Sequence, residues 1–70
     1  MSEVKIVYDR GGQTLTAWLE DSSREYICKE TSGEVVLMKD SAGRVIGFEK
    51  LNFSVPDSDL FRVAFETAPA

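Results

Sequence analysis

Histidine is absent from this sequence, cysteine occurs once, proline twice, and the longest unbroken apolar run is Val35-Val36-Leu37-Met38. Each shortage excludes a class of chemistry. Without histidine the chain lacks the commonest zinc ligand and the usual general base, and neither a Ser-His nor a Cys-His catalytic pair can form. With Cys28 alone there is no intrachain disulfide and no thiolate cluster. No window approaches the roughly 20 apolar residues of a membrane-spanning helix, so no membrane partner is expected. The opening Met-Ser-Glu-Val-Lys-Ile-Val-Tyr-Asp has neither a basic leader nor an apolar stretch of signal-peptide length, and the expected compartment is the cytoplasm. Asn52-Phe53-Ser54 fits a glycosylation acceptor in form, but without a secretory signal it reads as a chance match.

Positive charge is also scarce. Eight Lys and Arg stand against twelve Asp and Glu, leaving a net charge of −4 and a pI near 4.6. That sign opposes a phosphate backbone, so no nucleic-acid partner is expected, whereas a basic protein would be attracted.

What remains is 70 residues, 43% of them hydrophobic, in short β-prone runs separated by turn residues. That is one domain, residues 1–70, with an antiparallel core over 1–52 and an extension over 53–70. Its core is small for its surface and has no covalent staple. In Glu3–Tyr8, Val4, Ile6 and Tyr8 share one side, opposite Lys5 and Val7. Asp9-Arg10-Gly11-Gly12 then breaks the run, with the glycine pair free to take the positive φ of a tight reversal. Alternation resumes from Thr14 to Glu20, with Leu15, Ala17 and Leu19 opposite Thr16 and Trp18, and this completes a hairpin.

After Asp21-Ser22-Ser23, residues Arg24–Glu30 read as a strand carrying Tyr26 and Cys28 on one side, closed by Thr31-Ser32-Gly33. Val35–Met38 and Val45–Phe48 are continuously apolar, as expected of core strands covered on both faces. Between them Asp40-Ser41-Ala42-Gly43 has the form of a type I turn with a left-handed glycine. Gly47 inside its strand marks a bulge or a close contact. Asn52–Asp59, with Pro56, forms a break. Leu60–Ala68 alternates Phe61, Val63 and Phe65 as a strand would, although an Asp59 cap would also suit a short helix. The fold expected is mainly β: a small antiparallel meander of about five strands, with an extra C-terminal strand or short helix.

Tyr8-Asp9, Leu15 with Ala17-Trp18-Leu19, and above all Val36 through Asn52, with its Asp40-Ser41-Ala42-Gly43 turn leading to Gly47-Phe48-Glu49-Lys50-Leu51, resemble a family of very small prokaryotic proteins known only as a domain of unknown function. The resemblance spans residues 4–52 and implies the fold more than an activity. Some members of that family look as if they are encoded beside small toxin-like ribonucleases, which would make them antitoxin-like partners. Met38 stands where relatives often carry a second acid, two positions before the turn aspartate, which weakens any metal site built on paired acids there.

Individual side chains carry two readings each. Glu49 shares its side with Gly47 and Leu51, so it is either a tuned or interface carboxylate partnered by Arg44, Lys50 or Arg62, or a rim charge in a weak surface pair. Asp9 and Asp40 stand where turn aspartates are expected, not in a clustered calcium loop. Cys28 beside Lys29 is either an activated thiol or a small filler. Trp18, Phe48, Phe53, Phe61 and Phe65 fit packing or a protein interface better than a base-stacking platform, for lack of interleaved basic residues. Gly11-Gly12 is not a phosphate loop.

Two strands apolar on both faces in so short a chain leave a surface that needs covering, and the assembly expected is a homodimer packed through equivalent sheet faces. The function expected is a non-catalytic protein-interaction module, antitoxin-like toward a basic partner, with an exposed edge at Val4–Tyr8 able to accept a partner strand. Glu49, Trp18 and Asp40 are the candidate interface residues. No catalytic residue, metal or cofactor is assigned. The alternatives are a small-ligand-binding protein or minimal enzyme using Asp9, Asp40 and Glu49, and a purely structural homo-oligomer.

Overall fold

The computed structural model describes residues 3–56 and 61–69. Its strands are β1 (Lys5–Asp9), β2 (Thr14–Trp18), β3 (Ile27–Glu30), β4 (Val35–Lys39) and β5 (Val45–Lys50), all antiparallel in one sheet. The mainly β fold of about five strands is therefore the one the chain adopts. The spatial order β1-β2-β5-β4-β3 departs from a sequential meander. A hairpin (β1, β2) and a three-stranded meander (β3 to β5) are joined where β2 pairs with β5. This gives the centre to β5, the strand whose Val45-Ile46-Gly47-Phe48 run is apolar on both faces.

Joining the two units this way obliges the chain after β2 to cross the start of β5 and reach the far edge. The crossing is tied down by Leu19 and Glu20, whose N–H groups donate to the Ile46 carbonyl at 2.8 and 3.2 Å, and by the Tyr26 N–H on the Lys39 carbonyl at 2.8 Å. Within it Ser22–Arg24 form one 3₁₀ turn, started by the Asp21 carboxylate accepting from the Ser23 N–H at 2.9 Å. The strand expected from Arg24 consequently begins only at Ile27, because the Asp21 cap draws Arg24 into the turn.

The β4–β5 hairpin forms as its sequence dictates. Asp40 accepts from the N–H groups of Ala42 and Arg44 at 3.0 and 2.9 Å, and Gly43 takes φ +82°. The first hairpin differs from expectation: its left-handed residue is Gln13 (φ 56°), not a glycine. Gly12 serves by being small, since it donates its N–H to Asp9 Oδ1 at 3.0 Å and a Cβ there would stand 2.7 Å from Asp9 Oδ2, whereas a Cβ at Gly11 would make only an ordinary contact. Glu34 closes the β3–β4 turn in the same left-handed manner, at φ 60° beside Gly33.

The strand registers sort the side chains onto two faces. One face carries Ile6, Tyr8, Leu15, Ala17, Phe48, Val35, Leu37, Ile27, Lys29 and Lys39. The other carries Val7, Thr16, Trp18, Gly47, Glu49, Val36, Met38, Cys28 and Glu30. Cover is partial on both. Ile46, Met38 and Ala17 are 1%, 4% and 5% exposed, but Phe48 in the central strand remains 38% exposed.

On the first face Tyr8, Phe53 and Phe61 pack as an aromatic cluster, with ring centroids 4.8 to 5.9 Å apart, and Tyr8 Oη accepts from the Val55 N–H at 3.2 Å. Beyond Phe61, residues 62–69 form neither the extra strand nor the short helix expected. Phe61 is held over the sheet face by its ring contact with Tyr8, and the residues after it pair with no strand. A segment this short does not hold a helix by itself. The candidate cap Asp59, and Leu60, lie outside the described residues.

Candidate functional site: the acidic face of the sheet

The second face is where chemistry-bearing residues gather. Its centre is a register consequence: Trp18 opposes Gly47 across β2 and β5, and Met38 opposes Gly47 across β4 and β5. With no side chain on Gly47, the indole settles into the space above it, and a Cβ there would lie 2.8 Å from both Trp18 Cε3 and the Ala17 carbonyl oxygen. Around this centre a shallow basin of about 230 Å³ is lined by Val7, Thr16, Trp18, Val36, Met38, Cys28, Glu25 and Glu49.

Glu49 is half-buried here, and its contact is the Thr16 hydroxyl, which donates to Oε2 at 3.4 Å. Two of its expected partners are committed elsewhere: Arg44 Nε donates to Asp40 Oδ2 at 3.0 Å, and Lys50 Nζ pairs with Glu34 at 3.3 Å. Glu25, held at the rim by the crossing segment, accepts a short hydrogen bond from the Cys28 thiol. That bond pushes the Cys28 thiol above its usual range, and the nearby charges of Glu25 and Glu49 reinforce the effect. Cys28 is exposed, and its carboxylate neighbours hold it as the thiol; the activating lysine field that the sequence allowed is outweighed.

Trp18 also borders a second hollow, a groove of about 520 Å³ lined by Glu3, Lys5, Leu19, Glu20, Asp21 and Ser22. The indole thus stands between the carboxylates of Glu3, Glu20 and Asp21 on one side and those of Glu25 and Glu49 on the other, with Lys5 the one ammonium among the lining residues. Lys29 and Lys39 project from the opposite face by register. The sheet therefore segregates its charge. An aromatic plate over apolar floor residues, ringed by carboxylates, suits a guanidinium or ammonium side chain: the stem lies on Val36 and Met38, and the cation meets the indole and the acids.

Of the candidate residues, the structure brings Trp18 and Glu49 together and leaves Asp40 apart. Asp40 is buried in the β4–β5 turn, and the hydrogen bonds from Arg44 and Ala42 hold its carboxyl below the ordinary value of 3.8. Asp9 lies at the opposite end of the sheet, opposed to Thr14 and bonded to Gly12. Asp9, Asp40 and Glu49 do not converge, and among the described residues no three metal-ligating side chains do. The sequence places Glu20 and Glu25 in strand runs and Asp21 in a polar turn, and marks none of the three as a site residue. The available signal was the density of acids in Glu20-Asp21-Ser22-Ser23-Arg24-Glu25.

Among the described residues no helix is long and apolar enough to cross a membrane. No curated protein and no solved structure matches the chain. Residues 5–54 match a family described as Protein of unknown function (DUF2283). The matched span holds all five strands and the three stretches that carry the sequence resemblance, Tyr8-Asp9, Leu15 with Ala17-Trp18-Leu19, and Val36–Asn52, and ends before Phe61.

Proposed function

We propose that this chain, which belongs to the DUF2283 family, is a non-catalytic protein-interaction module whose acidic sheet face receives a basic protein. The observation that carries the reading is the setting of Trp18, a half-buried indole on an apolar floor with carboxylates on both sides and one lysine nearby. An arginine or lysine of the partner would lose its water against the indole while keeping charge partners in Glu49 and Glu25, and the net charge of −4 would steer the encounter. The exposed, unpaired Cys28 supports a reducing, cytoplasmic setting.

In its narrower, antitoxin-like form the partner is a small basic ribonuclease whose RNA-binding surface the acidic face covers. Charge complementarity is what supports that form, and it predicts protection of RNA when the two proteins are mixed.

Trp18 is the one tryptophan of the chain, so its emission reports on this face alone. Titration with an oligo-arginine peptide should change that emission saturably, and added salt should weaken the effect. The double variant Glu25→Gln/Glu49→Gln should lose most of it. An unchanged emission, or an equal response from the variant, would contradict the reading.

A further inference from the structure

Beyond the acidic face, the tail presents apolar side chains to solvent. Val63 is 63% exposed and Phe65 93%, two apolar side chains spaced as a strand would space them and held in water just past the Phe61 anchor.

The sheet offers one matching acceptor. β3, at one edge, is four residues long, too short to pair along the whole of a five-residue arm. β1, at the other edge, is five residues long and exposes Ile6 and Val7, with Val4 exposed just before it, and it carries Tyr8, on which Phe61 packs at 4.8 Å.

We propose that residues 62–66 of each chain add as an antiparallel strand to the β1 edge of a second copy, giving a two-fold dimer by arm exchange. One register satisfies every pair. Arg62 falls opposite Asp9 and Glu66 opposite Lys5, while Val63 meets Tyr8, Ala64 meets Val7 and Phe65 meets Ile6. The Val63–Tyr8 and Phe65–Ile6 pairs then share the face that already holds the aromatic cluster, and Ala64–Val7 shares the other face with the two charged pairs. A parallel arm would place Arg62 against Lys5 and Glu66 against Asp9, so like charges select the antiparallel orientation. Within its own chain the described tail pairs with no strand, which leaves the arm available to a second copy. The two β1 edges therefore meet near the dyad, where each arm leaves its chain.

Light scattering of the full chain at high micromolar concentration should give twice 7.8 kDa. Val63→Asp/Phe65→Asp changes only exposed side chains, so it should keep the wild-type circular dichroism and scatter as a single chain. Lys5→Glu and Glu66→Lys should each weaken dimerisation by roughly tenfold, because symmetry repeats the contact, and the two together should restore it. A monomeric wild type, a Val63→Asp/Phe65→Asp variant that stays dimeric, or charge reversals that fail to rescue one another would each overturn the proposal.

Discussion

Trp18 packs across the strand boundary onto Gly47, in the space that a side chain at Gly47 would fill. The contact joins the first hairpin to the three-stranded unit and fixes the indole on the acidic face. Gly47→Ala should therefore destabilise the fold by about 1–3 kcal/mol through overpacking and should alter Trp18 emission. Denaturant unfolding followed at the tryptophan checks both, and a neutral substitution would mean the sheet can spread there without cost.

Gly43 presents the opposite case. A Cβ at Gly43 would meet nothing within 4 Å, but its φ of +82° is left-handed. Gly43→Ala should cost about 1–2 kcal/mol, all of it backbone strain, and Gly43→Asn should cost less because asparagine tolerates that region. At Gly47, where space decides, Asn should be worse than Ala. Equilibrium unfolding of the four variants reads the crossover directly.

Asp40 links this turn to pH. Its hydrogen bonds from Arg44 and Ala42 hold the folded-state carboxyl below the ordinary value of 3.8. The folded chain binds that proton less readily than the unfolded chain, so the stabilisation is fully present above the ordinary carboxylate range and is lost as pH falls through and below it. Asp40→Asn should lower Tm by several degrees at pH 7, and the gap to wild type should close as the pH drops below 3.8. A gap independent of pH would assign the loss to shape and not to charge.

Cys28 should alkylate slowly at pH 8 for an exposed thiol, because Glu25 accepts its proton in a hydrogen bond and raises its pKa. Glu25→Gln should speed iodoacetamide labelling several-fold, with a smaller gain from Glu49→Gln. Equal rates in wild type and Glu25→Gln would show that the carboxylate does not hold the thiol.

Much of the sheet was legible in the sequence because local chemistry decided it. Asp40 and Gly43 define their turn whatever surrounds them, and the period-two runs of β1 and β2 place Tyr8 and Trp18 on opposite faces. What could not be read were the long-range choices. The β2–β5 pairing arises because the apolar Val45–Phe48 strand takes the centre, and no local signal at Trp18 or Gly47 announces that they meet. The left-handed position falls on Gln13, one residue after the glycine pair where it was expected, while the Gly12 N–H donates to the Asp9 carboxylate across the turn. The acidic face was half visible: Glu49 stood out as a charge among apolar neighbours, whereas Glu20, Asp21 and Glu25 join it only because the crossing segment folds back over the Ile46 end of β5.

The central claim, that the acidic face around Trp18 binds a basic protein, is tested most directly by parallel affinity capture from native lysate with the tagged wild type and a Glu25→Lys/Glu49→Lys variant of confirmed fold. A basic protein in stoichiometric amount should be retained by the wild type, change Trp18 emission when added back, and be lost from the variant. The same proteins retained equally by both chains would contradict it.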